Sequence, residues 1–226
     1  MRSYWWKILA YLALLAVCTG GFLVKVPIID GRLQQSIRNT FFHVPMWFGM
    51  MICYTVSVVY GLLYLNKQKP GFDHYAVEYA RTGTVFGVLG IITGAIWANY
   101  QWGSPWNGDP KQNGAAIALL IYFAYFVLRG SINDVDKRSR ISAVYNVFAY
   151  AMLFPTIWIL PRMTESLHPG GQGAEGNPGL KPSDSSPAVG LFLLIGTIGW
   201  TLMGVWITTL RIRLQFLIEK KLHGQA

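Results

Sequence analysis

The side chains best equipped for chemistry are two histidines, His43 and His168, and the run Trp102-Gly103-Ser104-Pro105-Trp106-Asn107-Gly108-Asp109-Pro110-Lys111. A neutral imidazole nitrogen is a good metal donor. The run sets two indoles among Gly103, Pro105, Gly108 and Pro110, residues that shape tight turns. Flat aromatic faces on a rigid turn suit a flat, apolar ligand. A loop that only returns a chain to the bilayer needs few polar residues and no such shape.

The elements that must carry these residues are membrane helices. The 226-residue chain is 53% hydrophobic and 13% charged, with a mean hydropathy of +0.35, well above that of a soluble domain. About 20 apolar residues cross a hydrocarbon core as a helix. Six stretches qualify: Trp5 to Val26, Val44 to Leu65, Arg81 to Tyr100, Gly114 to Leu128, Ile141 to Pro161 and Ala188 to Leu210. Continuous rather than alternating apolar character excludes a β-barrel. Val17 is a poor residue to precede a cleavage site, and apolar character continues through Phe22, Leu23 and Val24, so the first stretch is expected to be a retained helix.

Cations set the orientation. With the N-terminus inside, the inner segments hold Arg2, Lys7, Lys67, Lys69, Arg81, Arg129, Lys137, Arg138, Arg140, Arg211, Arg213, Lys220 and Lys221, which is 13 of the 19 Lys and Arg. The expectation is an all-α integral membrane protein of six transmembrane helices, with both termini cytoplasmic. It forms one domain over residues 1–226, with outer-face loops 27–43, 101–113 and 162–187 and a cytoplasmic tail 211–226. The net charge of +9 reads as a topology signal and a contact with anionic lipid. Nucleic acid is not an expected partner, because no soluble domain carries a basic stripe interleaved with aromatics.

This topology puts His43 and His168 on the outer face with the Trp102–Lys111 run, and leaves His74 and His223 as solvated residues on the inner side. Pro45 is expected in a first helical turn. Two imidazoles from separate segments can bind opposite faces of haem iron. The macrocycle would lie on Trp102, Trp106 and neighbours such as Trp47, Trp97 and Phe42, with its propionates near Lys111, Arg162, Arg38 or Arg32. Zinc would want three or four ligands, and this face has neither a third His nor a Cys. Interfacial Trp and His are also ordinary membrane anchors, and it is the conjunction that points to a site. Asp109 has two readings: a turn former beside Gly108 and Pro110, or a residue facing a partner. Cys18 and Cys53 are expected to be buried packing residues.

These residues resemble the haem-handling proteins of cytochrome c biogenesis (CcmC, CcmF and CcsA), which share an outer loop of the form W-G-x-x-W-x-W-D, often followed by P-K. Trp102-Gly103, Trp106 and Asp109-Pro110-Lys111 fall on that pattern. His43-Val44-Pro45 and Leu167-His168 match the histidine positions of its short six-helix form, the haem exporter protein C (CcmC) family. The third Trp of the pattern is Gly108 here, so aromatics outside the loop, Trp97 or Tyr100, are expected to supply part of the contact.

The resemblance implies a non-enzymatic protein of the bacterial cytoplasmic (inner) membrane. It would hold non-covalent haem b through His43 and His168, with Trp97, Trp102, Gly103, Trp106, Asp109, Lys111 and Arg162 around it. The implied partners are a haem chaperone, CcmE, and the ABC-type subunits CcmA and CcmB. There is no G-x-x-x-x-G-K-[ST] loop, so ATP use would belong to a partner, and no C-x-x-C-H for covalent attachment. Two other classes stay open from the residues alone: a b-type cytochrome that passes electrons to quinone, and a structural subunit whose Trp loop seats a partner. The Gly- and Pro-rich segment from Gly170 to Pro187 is expected to be mobile.

Overall fold

A computed structural model describes residues 4–26, 36–168 and 186–222. The stretch from Gly170 to Pro187, read above as mobile, falls almost wholly outside them, as do Arg32 and His223. The described residues are all helical or irregular, without strands. The long helices are α1 (Trp5–Leu23), α2 (Thr40–Lys67), α3 (Pro70–Trp102), α4 (Pro110–Gly130), α5 (Val135–Leu153) and α6 (Pro187–Leu222). A 3-10 turn, Ile37–Asn39, leads into α2, and α5 continues through a π-helical turn, Phe154–Ile159, into Leu160–Met163. Six helical spans are long and apolar enough to cross a membrane. The protein is a multi-pass membrane protein.

Helix α2 is the central element, packed on α3, α5 and α6, while α1 lies on α6 and α4 on α5. The core between them is aromatic: Tyr54 and Tyr122 stack with ring centroids 3.5 Å apart, among Met50, Phe86, Leu119 and Leu153. Side chains that face lipid gain nothing from hydrophobic segregation, so polar contacts between helices help to fix the packing. Asn146 of α5 donates to Ser57 of α2 at 2.8 Å, and Ser57 donates to the Ala76 carbonyl of α3 at 2.6 Å.

Several boundaries differ from the sequence expectation, each for a local reason. Helix α3 begins at Pro70 rather than Arg81. Proline suits a first helical position, and the charged turns that follow are neutralised by neighbours. Asp73 takes both guanidinium nitrogens of Arg129, at 2.8 and 2.6 Å, and the buried Glu78 lies between Arg81 and Arg211. Helix α5 starts at Val135, where the Asp134 carboxylate accepts from the Lys137 N–H at 2.7 Å. Residues expected as a tail beyond Leu210 continue α6 to Leu222. His74 is not a solvated residue; its side chain is 16% exposed and its Nε2 lies 2.7 Å from Glu219. Cys53 is buried as expected, but Cys18 is exposed on the outside of α1.

Pro45 is inside α2, not in its first turn, because the helix already starts at Thr40. Lacking an N–H, it leaves the Phe41 carbonyl without its helical donor. A Cβ at Gly196 of α6 would lie 3.0 Å from that oxygen, so glycine is what lets α6 approach the break.

Candidate functional site

The Trp102–Lys111 run joins α3 to α4, and its backbone is set by glycine and capping. Gly103 ends α3 with φ +79° and Gly108 has φ +69°, a left-handed conformation that costs other residues their Cβ clearance. Gly108 is the position where the family pattern has its third Trp, so here the turn requires what an indole would disfavour. Asp109 is the N-cap of α4: Oδ1 accepts from the Lys111 N–H at 2.8 Å, and Pro110 follows at the first helical position. Such caps contribute about 1 kcal/mol to a helix. Side chains one turn into α4 finish the loop. Gln112 accepts from the Asn107 N–H at 3.0 Å and donates to the Pro105 carbonyl, while Asn113 donates to the Gly108 carbonyl at 2.9 Å.

The same Asp109 carboxylate reaches the segment after α5. Oδ2 accepts from the Ser166 hydroxyl at 2.8 Å and from the Leu167 N–H at 2.7 Å, and Oδ1 lies 3.0 Å from His168 Nδ1. Burial alone would push this carboxyl up. The hydrogen bond and charge of His168, with the Ser166 and Leu167 donors, outweigh it and hold the group well below the usual carboxylate range. A carboxylate can only accept, so Nδ1 of His168 carries a proton, and in the neutral ring the lone pair is on Nε2. The imidazole is walled by α3. Trp102 meets it edge-on at 5.2 Å between centroids, Trp97 lies at 6.3 Å, and the two indoles are themselves 5.1 Å apart.

His43 is held by α3 one turn further back. Its Nδ1 lies 3.2 Å from the Thr93 hydroxyl, and Trp47 Nε1 donates to its Nε2 at 3.3 Å. Because the Thr93 hydroxyl donates to the Leu89 carbonyl at 2.8 Å, it accepts from His43. Nδ1 again carries the proton and Nε2 the lone pair. A Cβ at Gly94 would stand 2.7 Å from His43 Cε1, so α3 presents a bare backbone where the imidazole lies against it. Thr93 and Trp97 are four residues apart and share a helix face. The two histidines therefore contact α3 about one helical turn apart, ~6 Å along its axis from Thr93 to Trp97.

Other residues read from the sequence take varied places. Trp106 is exposed, and among the described ring contacts it packs against neither imidazole. Tyr100 is exposed too, and among the described ring contacts it is Trp97, outside the loop, that meets His168. Lys111 stands near the Asp109 carboxylate and the Arg162 guanidinium. Arg162 donates to the Ile157 and Trp158 carbonyls at 3.0 and 3.1 Å and lies over the Trp158 ring, closing the π-helical end of α5. Arg38 donates to the Gly21 and Val24 carbonyls at 2.6 and 3.0 Å, tying down the end of α1. Sequence reading missed Ser36, which accepts from Trp97 and Gln101, as well as Thr93 and Ser166. The only available signal was the i, i+4 spacing of Thr93, Trp97 and Gln101.

Chemically, this end of the bundle offers two nitrogen lone pairs of matched tautomer, an apolar wall of indoles and nearby cations. Among the described residues no three His, Cys, Asp or Glu gather as a metal cage. The arrangement suits a ligand that brings its own equatorial donors and wants only axial nitrogens. The fold is that of a six-span membrane protein that gathers two histidines, indoles and cations at one end of its helical bundle.

The chain belongs to the heme exporter protein C (CcmC) family, which matches residues 1–225. It is 26% identical over 194 residues to heme exporter protein C of Haemophilus influenzae, covering 84% of this chain and 75% of that one. It is 31% identical over 166 residues to the cytochrome c biogenesis protein CcsA of Carica papaya, and 30% over 167 to that of Spinacia oleracea. Those matches cover 67% of this chain and 48% of each CcsA, so the chain spans about half the length of the CcsA proteins it matches.

Proposed function

We propose that this protein binds haem b non-covalently, with His43 and His168 as axial donors, at the outer face of a bacterial inner membrane, and passes it on for cytochrome c maturation. The observation that carries the reading is that each ring has an acceptor at Nδ1. Thr93 on one ring and Asp109 on the other take Nδ1–H, so each Nε2 is the donor nitrogen. Ligating histidines are commonly oriented in this way. Trp97 and Trp102 would supply an apolar face for the macrocycle, and Lys111 and Arg162 would serve its propionates. Membership of the heme exporter protein C family supports a haem-handling role in cytochrome c biogenesis.

The role is carriage, and no bond of the cargo need be made or broken. A carrier must hold firmly and release. Displacement of one axial imidazole by a donor from a chaperone would achieve this while the indoles keep the ring. The partners this reading expects are a CcmE-type haem chaperone and CcmA–CcmB-type ABC subunits, which would provide any ATP hydrolysis. Mixing haem-loaded protein with apo-chaperone tests it: the reading requires haem to leave this chain and appear on the chaperone. Haem that stays in place and is instead reduced rapidly by a quinol analogue would replace carriage with electron transfer.

A further inference from the structure

The opposite end of the bundle holds a cavity of about 880 Å³ between α3, the end of α4, the start of α5 and α6. It is polar at one end and apolar along its length. Arg81, Arg129, Arg138 and Arg211 line it together with Asp73, Glu78 and Glu219, an excess of cation. The carboxylates are already taken: Asp73 by Arg129, Glu78 by Arg81 and Arg211, and Glu219 by His74. Arg81 and Arg211 keep side chains 41% and 47% exposed, and a guanidinium has more N–H groups than one shared carboxylate can accept. Arg138 forms no ion pair among the described residues, and its Nε is buried without a partner. Further in, the wall is Phe86, Leu89, Met203 and Ile207, and the buried Trp200 Nε1 also lacks a partner. From Asp73 to Leu89 the groove follows α3 for about 24 Å, comparable to one leaflet with its headgroup region.

We propose that this groove binds one anionic phospholipid, its phosphate among Arg81, Arg138 and Arg211 and an acyl chain along Phe86, Leu89 and Met203. Arginine suits the headgroup because its planar fork meets two phosphate oxygens at once, and Arg138 has a buried donor to give. The apolar wall argues against a small hydrated anion as the natural occupant, since such an ion would leave the groove beyond Arg81, about 12 Å of its length, unfilled.

Native mass spectrometry of the full chain, titrated separately with phosphatidylglycerol and phosphatidylcholine, tests the assignment. One phosphatidylglycerol should bind in clear preference to phosphatidylcholine. Arg138→Gln should weaken it about fivefold, the effect of one basic residue near a lipid phosphate, and Ile207→Trp should abolish both lipids by filling the wall. Arg138→Gln breaks no ion pair, so it stays informative if the Trp variant fails to fold. Equal binding of the two lipids, unchanged affinity in Arg138→Gln, or displacement of the lipid by inorganic phosphate at equal concentration would each overturn the proposal.

Discussion

The Asp109 carboxylate joins two parts of the chain that meet only in the folded protein: Oδ1 accepts from the Lys111 N–H that starts α4 and lies 3.0 Å from His168 Nδ1. A capping residue of one helix thus orients an imidazole carried beyond the end of another. Asparagine caps helices as well as aspartate does, but it cannot act as an ionised acceptor for both His168 and Ser166. Asp109→Asn should therefore keep the helix cap but lower thermal stability by about 1–3 kcal/mol through the acceptors lost to Ser166, Leu167 and His168, while haem affinity falls about 10- to 100-fold, the usual cost of losing a carboxylate behind a ligating histidine. Parallel melting curves and haem titrations separate the two effects.

The same carboxylate makes a pH prediction. Its folded-state pKa is depressed below the ordinary carboxylate range, so it stabilises the fold fully above its unfolded value of about 3.9 and loses that contribution as pH falls through the lower folded value. The stability difference between wild type and Asp109→Asn should not shrink between pH 7 and 5, and should narrow only below about pH 4. Melting both proteins across that range checks the sign; a gap that closes between pH 6 and 5 contradicts it.

Gly114 governs how α4 meets the π-helical turn of α5. A Cβ there would stand 2.0 Å from the Thr156 carbonyl oxygen, a backbone atom that cannot swing away as a side chain can. Gly114→Ala should destabilise the protein by about 1–3 kcal/mol, the range for an overpacked core. It should also disturb haem binding, because α4 carries Asp109 and α5 leads to His168. Gly130→Ala, with open space around it, serves as the control and should change neither.

Much of the fold was legible because an apolar run of membrane length can do little other than span. All six spans were visible, and so were the turn character of Gly103 and Asp109 and the aromatics Trp97 and Trp102. What hydropathy could not see were helical turns made of charge, such as Pro70 to Arg81, whose Asp73 and Glu78 persist only because arginines of other helices neutralise them. Nor could spacing reveal that Thr93 and Asp109 are the partners of His43 and His168, since each pair meets across tertiary contacts.

Trp47 is predicted to compete with the cargo. Its indole N–H occupies His43 Nε2 at 3.3 Å, the nitrogen assigned to iron, and a typical hydrogen bond of this kind contributes about 1 kcal/mol. Trp47→Phe keeps an aromatic ring and removes the donor, so haem affinity should rise by up to about fivefold. A fall of tenfold or more in a haem titration would mean that Trp47 instead holds the bound ring.

The central claim is that His43 and His168 are the axial donors, and the absorption spectrum of the purified protein tests it most directly. Wild type isolated from haem-replete cells should carry a Soret band and the sharp visible bands of six-coordinate, low-spin b-type haem. Each single alanine variant should lose the low-spin signature, and His43→Ala combined with His168→Ala should lose the haem. An unchanged spectrum and haem content in the folded double variant would contradict the account.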